Sequence, residues 1–337
     1  MTPDTRIESL STAGRSTEPP LVSVVVSTYR HASWLGDTVE ALLAQDLEAA
    51  LQVIVCDDAS PDATPAVMRA SLMKVDNATY AGPRSLTYVR LQRNGGPAIG
   101  RNVGLDLAGG SFVAFTDSDC IPSPGWLRFA LAAVQTGVGV VQGRTRAEGG
   151  PARLFEHHID VSHLDGMFAT ANVLYRREAI ADLRFDPACW SPAWTMEDAD
   201  LGWRVIAAGW QARFAEEALV IHRVVPLSAR GWLSWQTRLR AFPALAARHP
   251  AFRKHLWLGL WVTPMNLCFE LALAGLVLAL WSPFALGLTL PYLVQFLRTR
   301  GLRGRFPPAK IAAHLAWDSV SFATLAAFSV RHRALVL

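Results

Sequence analysis

Short acidic clusters stand at the ends of apolar runs in this chain, and that placement constrains the fold more than any other feature. Val53-Ile54-Val55-Cys56 runs into Asp57-Asp58, and Phe112-Val113-Ala114-Phe115 runs through Thr116 into Asp117-Ser118-Asp119. Further on stand Glu197-Asp198 with Asp200, and His222 closes the series. A strand that releases carboxylates at its carboxyl end puts them on the rim of a sheet, where open α/β sheets bind ligands. Carboxylates crowded on one rim repel each other unless a cation or a hydrogen-bonded ligand offsets their charge. The series therefore points to a metal and a phosphorylated ligand.

The runs between the clusters alternate in period. Residues 21–27, 52–56, 86–91 and 111–116 are short and rich in apolar or β-branched side chains, which predicts strands. Residues 34–45, 64–74 and 99–108 carry apolar side chains at helical spacing, and Gly109-Gly110 stops the last of them. Such alternation predicts a mainly parallel sheet covered by helices. Right-handed crossovers bring the strand ends to one edge, so Thr28, Asp58, Asn94 and Asp117 are expected to line one crevice. Further strands are expected at 138–143, 168–175 and 219–222, with a helix over 196–209 that opens in the acidic cluster.

Each cluster taken alone has a plain structural reading. Asp117-Ser118-Asp119 suits Mg²⁺ or Mn²⁺, which prefer oxygen ligands and keep substrate phosphates in their shell, but such triplets also occur in ordinary turns. Asp57-Asp58 can accept hydrogen bonds from a base or a ribose, or cap the helix that follows. Acidic residues in the first turn at 197–200 are favoured by the helix dipole, yet Asp198 also has the properties of a general base. Arg204 is spaced to pair with Asp200.

In order along the chain, these segments resemble the inverting family 2 glycosyltransferases of the GT-A fold. The pieces are Val24-Val25-Val26-Ser27-Thr28-Tyr29, Val55-Cys56-Asp57-Asp58-Ala59-Ser60, Asn94-Gly95-Gly96 through Arg101-Asn102, and Thr116-Asp117-Ser118-Asp119. Ala171-Asn172-Val173-Leu174-Tyr175-Arg176-Arg177, Glu197-Asp198-Ala199-Asp200-Leu201-Gly202 and His222 complete them, over roughly residues 21–225. The resemblance implies that Thr28, Tyr29 and Asp58 hold the base and ribose, with Asp57 and Asn94 beside them. It implies that Arg101 and Asn102 sit near the diphosphate, and Asn172 near the donor sugar or acceptor. Asp117 and Asp119 would bind ribose and a divalent metal (Mn²⁺ or Mg²⁺), with His222 a further metal ligand. Asp198 would be the catalytic base and Glu197 would help place the acceptor. The implied partners are a nucleotide-sugar donor and a glycan or lipid-linked acceptor, and a polyprenyl-phosphate acceptor stays open. A nucleotidyltransferase would carry a Gly-rich, Lys/Arg-bearing phosphate loop, and Ser27–Ala32 offers none. A non-catalytic membrane scaffold with a degenerate nucleotide-sugar-binding domain is disfavoured by intact Asp119 and Asp198.

Composition separates the C-terminal third. Hydrophobic residues make up 51% of the 337 residues and charged residues 18%, and between 256 and 297 the only charged side chain is Glu270. Arg253-Lys254 precede this stretch, and Arg298, Arg300, Arg303 and Arg305 follow it. Basic flanks of an apolar stretch mark the cytoplasmic side of a membrane. The stretch is expected to form a helical hairpin turning near Ser282-Pro283, spanning or re-entrant, and 311–330 an interfacial amphipathic helix. The soluble alternative is a buried helical subdomain. No nucleic-acid motif accompanies the basic residues, so nucleic acid is not an expected partner. The organisation read from the sequence is a disordered tail at 1–20, a GT-A domain at 21–225, a basic amphipathic connector at 226–255 and membrane-associated helices at 256–337. The catalytic domain is expected to be cytoplasmic. Four cysteines without a CxxC pair fit a reducing compartment.

Overall fold

The computed structural model describes residues 8–11, 19–75, 79–150, 154–191, 194–300 and 308–337. The chain divides into two compact units, Met1–Ser191 with Met196–Val225, and Pro192–Thr195 with Pro226–Leu337. Each is described by itself.

The first unit is built on a nine-stranded sheet. Its heart is four parallel strands, β2 (Val22–Thr28), β3 (Leu51–Asp57), β4 (Arg84–Arg90) and β5 (Phe112–Asp117), lying in the order β4-β3-β2-β5. Residues 22–26 of β2 are buried without alternation, as expected of a parallel strand covered on both faces. Between these strands run α1 (Ala32–Leu43), α2 (Thr64–Val75) and α3 (Pro97–Leu107). In α1, Leu35, Val39 and Leu42 fall on one face and pack into the core with Val24, Val53 and Leu86. Parallel pairing sets Thr28 beside Asp57 and Ser27 beside Asp117, so the acidic ends reach the same edge.

Beyond β5 the sheet changes direction. It continues through β6 (Cys120–Pro122), β7 (Val138–Ala147), β8 (Val173–Arg176) and β9 (Gln211–His222), with α4 (Trp126–Ala132) and α5 (Glu197–Ala207) between them. Strand β8 lies antiparallel between β5 and β7. Strand β9 runs parallel to β7 and antiparallel to β6, which sets His222 opposite Cys120.

Three expectations are corrected. Glu8–Ser11, read as disordered tail, forms strand β1, paired antiparallel with β4. Without it β4 would present an open edge of backbone donors and acceptors. The rest of the tail, residues 1–7 and 12–18, lies outside the described residues. The strand expected over 168–175 begins only at Val173, because Phe168 has φ 48° and cannot continue an extended run. The last strand starts at Gln211 rather than 219, with an irregularity between Ala215 and Leu219.

The second unit is helical: α6 (Ala229–Trp235), α7 (Ala241–Arg248), α8 (Pro264–Leu278), α9 (Leu290–Arg300) and α10 (Pro308–His332). Helices α8 and α9 form the expected hairpin, joined through a short helical segment at Pro283–Thr289. This unit buries apolar side chains such as Leu245, Phe252, Phe296 and Leu325, and some polar ones with them. Gln236, Asp318, Ser321 and Ser329 are buried. Arg300 grips Asp318 with two bonds of 2.6 and 2.7 Å, Tyr292 donates to Asp318 at 2.6 Å, and Ser321 donates to Gln236 at 2.6 Å. Meanwhile Leu276, Val277, Leu280, Trp281, Phe284 and Leu293 are exposed, Phe284 at 92%. Glu270, unassigned from sequence, accepts a hydrogen bond from Trp261 at 2.9 Å. Helix α10 is long and apolar enough to cross a membrane by length and composition.

Candidate active site

The first layer is the Asp58 corner. Asp58 follows β3 and turns its carboxylate onto the loop after β4, accepting the N–H groups of Gly95 and Gly96 at 2.8 Å each. Burial raises its pKa, and the two backbone donors oppose that rise. Gly96 is needed here, with φ 88° and a Trp190 ring 2.6 Å from where a Cβ would stand. Asn94 donates to the Asp58 carbonyl at 3.3 Å. Thr28 is buried at the end of β2 and its hydroxyl oxygen has no hydrogen-bond partner, while Tyr29 beside it is exposed.

The second layer is the candidate metal group. Asp117, Asp119, Cys120 and His222 offer ligand atoms within 4.8 Å of one another. His222 Nδ1 lies 2.7 Å from the Arg223 carbonyl, and Nε2 is 3.8 Å from Asp119 Oδ1. A carbonyl can only accept, so Nδ1 donates to it and Nε2 is the ring nitrogen turned toward Asp119, the arrangement of a metal-binding histidine. Burial pushes the Cys120 thiol well above its ordinary range, and a soft sulfur ligand suits neither Mn²⁺ nor Mg²⁺. Two carboxylates and one imidazole then form a donor set that fits Mn²⁺ or Mg²⁺. Asp186, Cys189 and Asp200 also cluster, but Asp186 caps Ala188 N–H at 3.0 Å and Asp200 accepts from Arg204 at 2.9 Å, as the sequence spacing predicts for that pair.

Arg101 joins the metal side to the helix-start carboxylates. It rises from α3 and donates to Asp117 at 3.3 Å, Glu197 at 3.0 Å and Asp198 at 2.9 Å. Burial disfavours its charge, but Asp198, Asp117 and Glu197 outweigh that and raise its pKa above the ordinary arginine value. Glu197 is pushed from 4.5 up to about 7 by burial and then by Asp198, against the pull of Arg101. One of its oxygens, Oε2, is buried without a partner. Asp198 keeps 23% of its side chain exposed and can meet a solute. Loss of water raises its pKa, while Arg101 and Thr170 oppose that rise.

Three expected site residues are placed in the scaffold instead. The Asp57 carboxylate is buried and accepts from Ser60 N–H at 2.8 Å and Tyr88 hydroxyl at 2.7 Å, so it fixes the turn rather than facing a ligand. Asn102 exchanges two 2.8 Å bonds with the backbone of Phe185, whose ring lies 5.6 Å from the Arg101 guanidinium. Asn172 uses its whole amide inside the core: Trp126 donates to it at 2.7 Å, and it donates to the Arg144 and Ala218 carbonyls at 2.7 and 2.8 Å. With both amide hydrogens spent and only 2% of the residue exposed, Asn172 serves the core. Sequence reasoning missed Thr170, Phe185 and Trp190, which no spacing or charge pattern marks.

Known proteins resemble this chain over most of its length. Residues 23–191 match the family model "Glycosyl transferase family 2", and residues 112–330 match "Glycosyl transferase family group 2". The succinoglycan biosynthesis protein ExoM of Rhizobium meliloti is 32% identical over 234 residues, covering 65% of this chain and 71% of ExoM. ExoO of the same organism is 32% identical over 158 residues, 46% of this chain but only 38% of ExoO. The chain thus spans well under half the length of that relative. The mannosyltransferase PcManGT from Pyrobaculum calidifontis, solved with GDP-Man and Mn²⁺, superposes with a TM-score of 0.56 at 20% identity, covering 94% of this chain and 88% of that one. The fold is thus that of a GT-A enzyme, and the chain is a member of glycosyltransferase family 2.

Proposed function

We propose that this glycosyltransferase moves a sugar from a nucleotide-diphospho-sugar to a hydroxyl of a glycan or lipid-linked acceptor, with inversion at the anomeric carbon. The supporting observation is the Arg101 bridge, which ties Asp117 of the metal group to Asp198 at the start of α5. A proton acceptor and a diphosphate anchor then belong to one cluster. Asp198 takes the proton of the acceptor hydroxyl as that oxygen bonds the anomeric carbon. The bond to the diphosphate oxygen breaks, and its electron pair leaves with the diphosphate. A single displacement from the face opposite the leaving group inverts configuration. Asp119, Asp117 and His222 would hold Mn²⁺ or Mg²⁺, which supplies charge neutralisation to the leaving diphosphate. Arg101 orients Asp198, and Thr28, Tyr29 and the loop held by Asp58 form the nucleotide's bed. ExoM and ExoO act in succinoglycan biosynthesis, which supports an envelope or exported polysaccharide as the product class.

A thermal-shift panel tests the donor class. UDP-glucose, UDP-N-acetylglucosamine and GDP-mannose are compared with Mn²⁺ and with EDTA. The true donor class at about 100 times its Kd stabilises the fold by roughly 2.7 kcal/mol, visible as a rise of several degrees in Tm. No shift with any nucleotide sugar would refute the assignment.

The second unit is assigned to a membrane, with the catalytic unit on the cytoplasmic side. The apolar side chains exposed along the α8–α9 hairpin support this, since such side chains face outward where lipid replaces water. At 15 residues α8 is about 22 Å long, too short for a hydrocarbon core of about 30 Å, so the hairpin enters rather than crosses. The double variant Trp281→Ser, Phe284→Ser should reduce flotation with phosphatidylglycerol vesicles at least about tenfold, since each exposed ring loses transfer energy of roughly 1.5–3 kcal/mol. Equal flotation of the variant and the parent would remove the hairpin from the contact.

A further inference from the structure

Asp198 is held by a feature outside the acidic series. Its Oδ1 accepts from Arg101, and its Oδ2 accepts twice from one residue, the backbone N–H of Thr170 at 3.0 Å and the Thr170 hydroxyl at 2.8 Å. Thr170 is 1% exposed. A residue that spends both donors on one carboxylate oxygen fixes the direction of that carboxylate as well as its charge.

The segment carrying Thr170 is fastened on both sides. Trp203 donates its indole N–H to the Gly166 carbonyl at 2.9 Å. Phe168 adopts φ 48°, a left-handed conformation that costs a bulky residue energy and persists only where surroundings enforce it. Here the enforcement is visible. The Phe168 ring fills the notch left by Gly202, where a Cβ would stand 2.1 Å from Phe168 Cδ2. Downstream, Thr116 donates to the Ala171 carbonyl at 2.9 Å, and the Asn172 amide is locked into the core. Gly202 and Trp203 lie on α5, the helix that begins with Glu197-Asp198. One helix thus supplies the carboxylate and the notch that seats the segment gripping it.

We infer that Thr170 is a positioning residue for sugar transfer, holding Asp198 in its reactive orientation, and that Gly202 of the Asp-Leu-Gly stretch serves this grip by admitting Phe168. The inference rests on the proposed role of Asp198 as base. It gives the strained Phe168, Gly202 and the interrupted strand over 168–172 one common purpose. It also gives the Asn172 motif a role, anchoring the far end of the grip.

Thr170→Val keeps the shape and the backbone donor but removes the hydroxyl, and Thr170→Ser retains it. Release of nucleoside diphosphate is followed with whichever of the three donors stabilises the protein with Mn²⁺, water serving as acceptor. Thr170→Val should lower kcat about tenfold to a hundredfold, the effect of a lost charge-assisted hydrogen bond, with donor KM within about threefold. Thr170→Ser should restore most of the loss. The acid limb of the kcat profile should move to higher pH in the valine variant, because a donor that favours the ionised carboxylate is gone. The charged groups facing Asp198 (Arg101 of α3, Asp117 of β5 and Glu197 of α5) are the same in both variants. If the valine methyl is not accommodated, Thr170→Ala makes the same comparison. An unchanged kcat and acid limb, in a protein that Asp198→Asn inactivates, overturns the Thr170 role alone. So does a loss in Thr170→Val that serine does not restore. Retained turnover in Asp198→Asn instead overturns the base assignment beneath it.

Discussion

Asp198→Asn is expected to abolish sugar transfer while leaving nucleotide binding nearly intact. Asparagine has the same shape, and its carbonyl oxygen can still accept from Thr170, but it cannot take a proton. Loss of a general base costs about 10²–10⁴ in rate. The proposed nucleotide bed lies elsewhere, at the Asp58-held loop and the Asp117–Asp119 turn, so the nucleotide Kd should change by less than about threefold. Product formation and calorimetry on one preparation separate the two effects. Turnover within about tenfold of the parent would remove Asp198 from the proton transfer. The substitution should also act on Glu197. Burial and then the Asp198 charge hold that carboxyl up at about 7. With Asp198 neutral, the Glu197 pKa should fall, because one like charge has gone and Arg101 remains.

Asp119→Ala is expected to remove the metal dependence of nucleotide binding. In the parent, Mn²⁺ should tighten the nucleoside diphosphate strongly, because a divalent cation neutralises the diphosphate charge. Without Asp119 the candidate set retains Asp117, engaged with Arg101, and His222. Affinity in Mn²⁺ should drop about a hundredfold, a few kcal/mol, to the level measured in EDTA. The fold should survive, since the backbone of Asp119 still accepts from Arg223 N–H at 3.0 Å and Cys120 still pairs with His222. Calorimetry with and without Mn²⁺ decides the matter. A variant that keeps the parent's response to Mn²⁺ would place the metal elsewhere.

The four parallel strands were legible because a strand covered on both faces must be apolar on successive residues, and Val24, Val25 and Val26 announce that directly. Their acidic ends were legible because strand order along the chain and right-handed crossovers leave one edge for them. The strand over 168–175 was misread because its apolar residues suit a ladder as well as a packed, irregular turn. Only the Gly202 notch decides between the two. The scaffold contacts of Asp57, Asn102 and Asn172 were not legible for a related reason. A polar side chain in a motif looks the same whether it faces a ligand or holds the scaffold, and the difference lies in which partners the fold delivers.

By itself the sequence determined the alternation of strands and helices, the edge on which the carboxylates gather, and the apolar character of the last third. Each follows from local period or composition, which nearby residues settle. Only the tertiary structure decided that Arg101 joins Asp117 to Asp198, that His222 meets Asp119 through an antiparallel pair, and that Thr170 grips the proposed base. These contacts join residues far apart in the chain, and their geometry depends on side-chain directions that packing sets and sequence spacing does not carry.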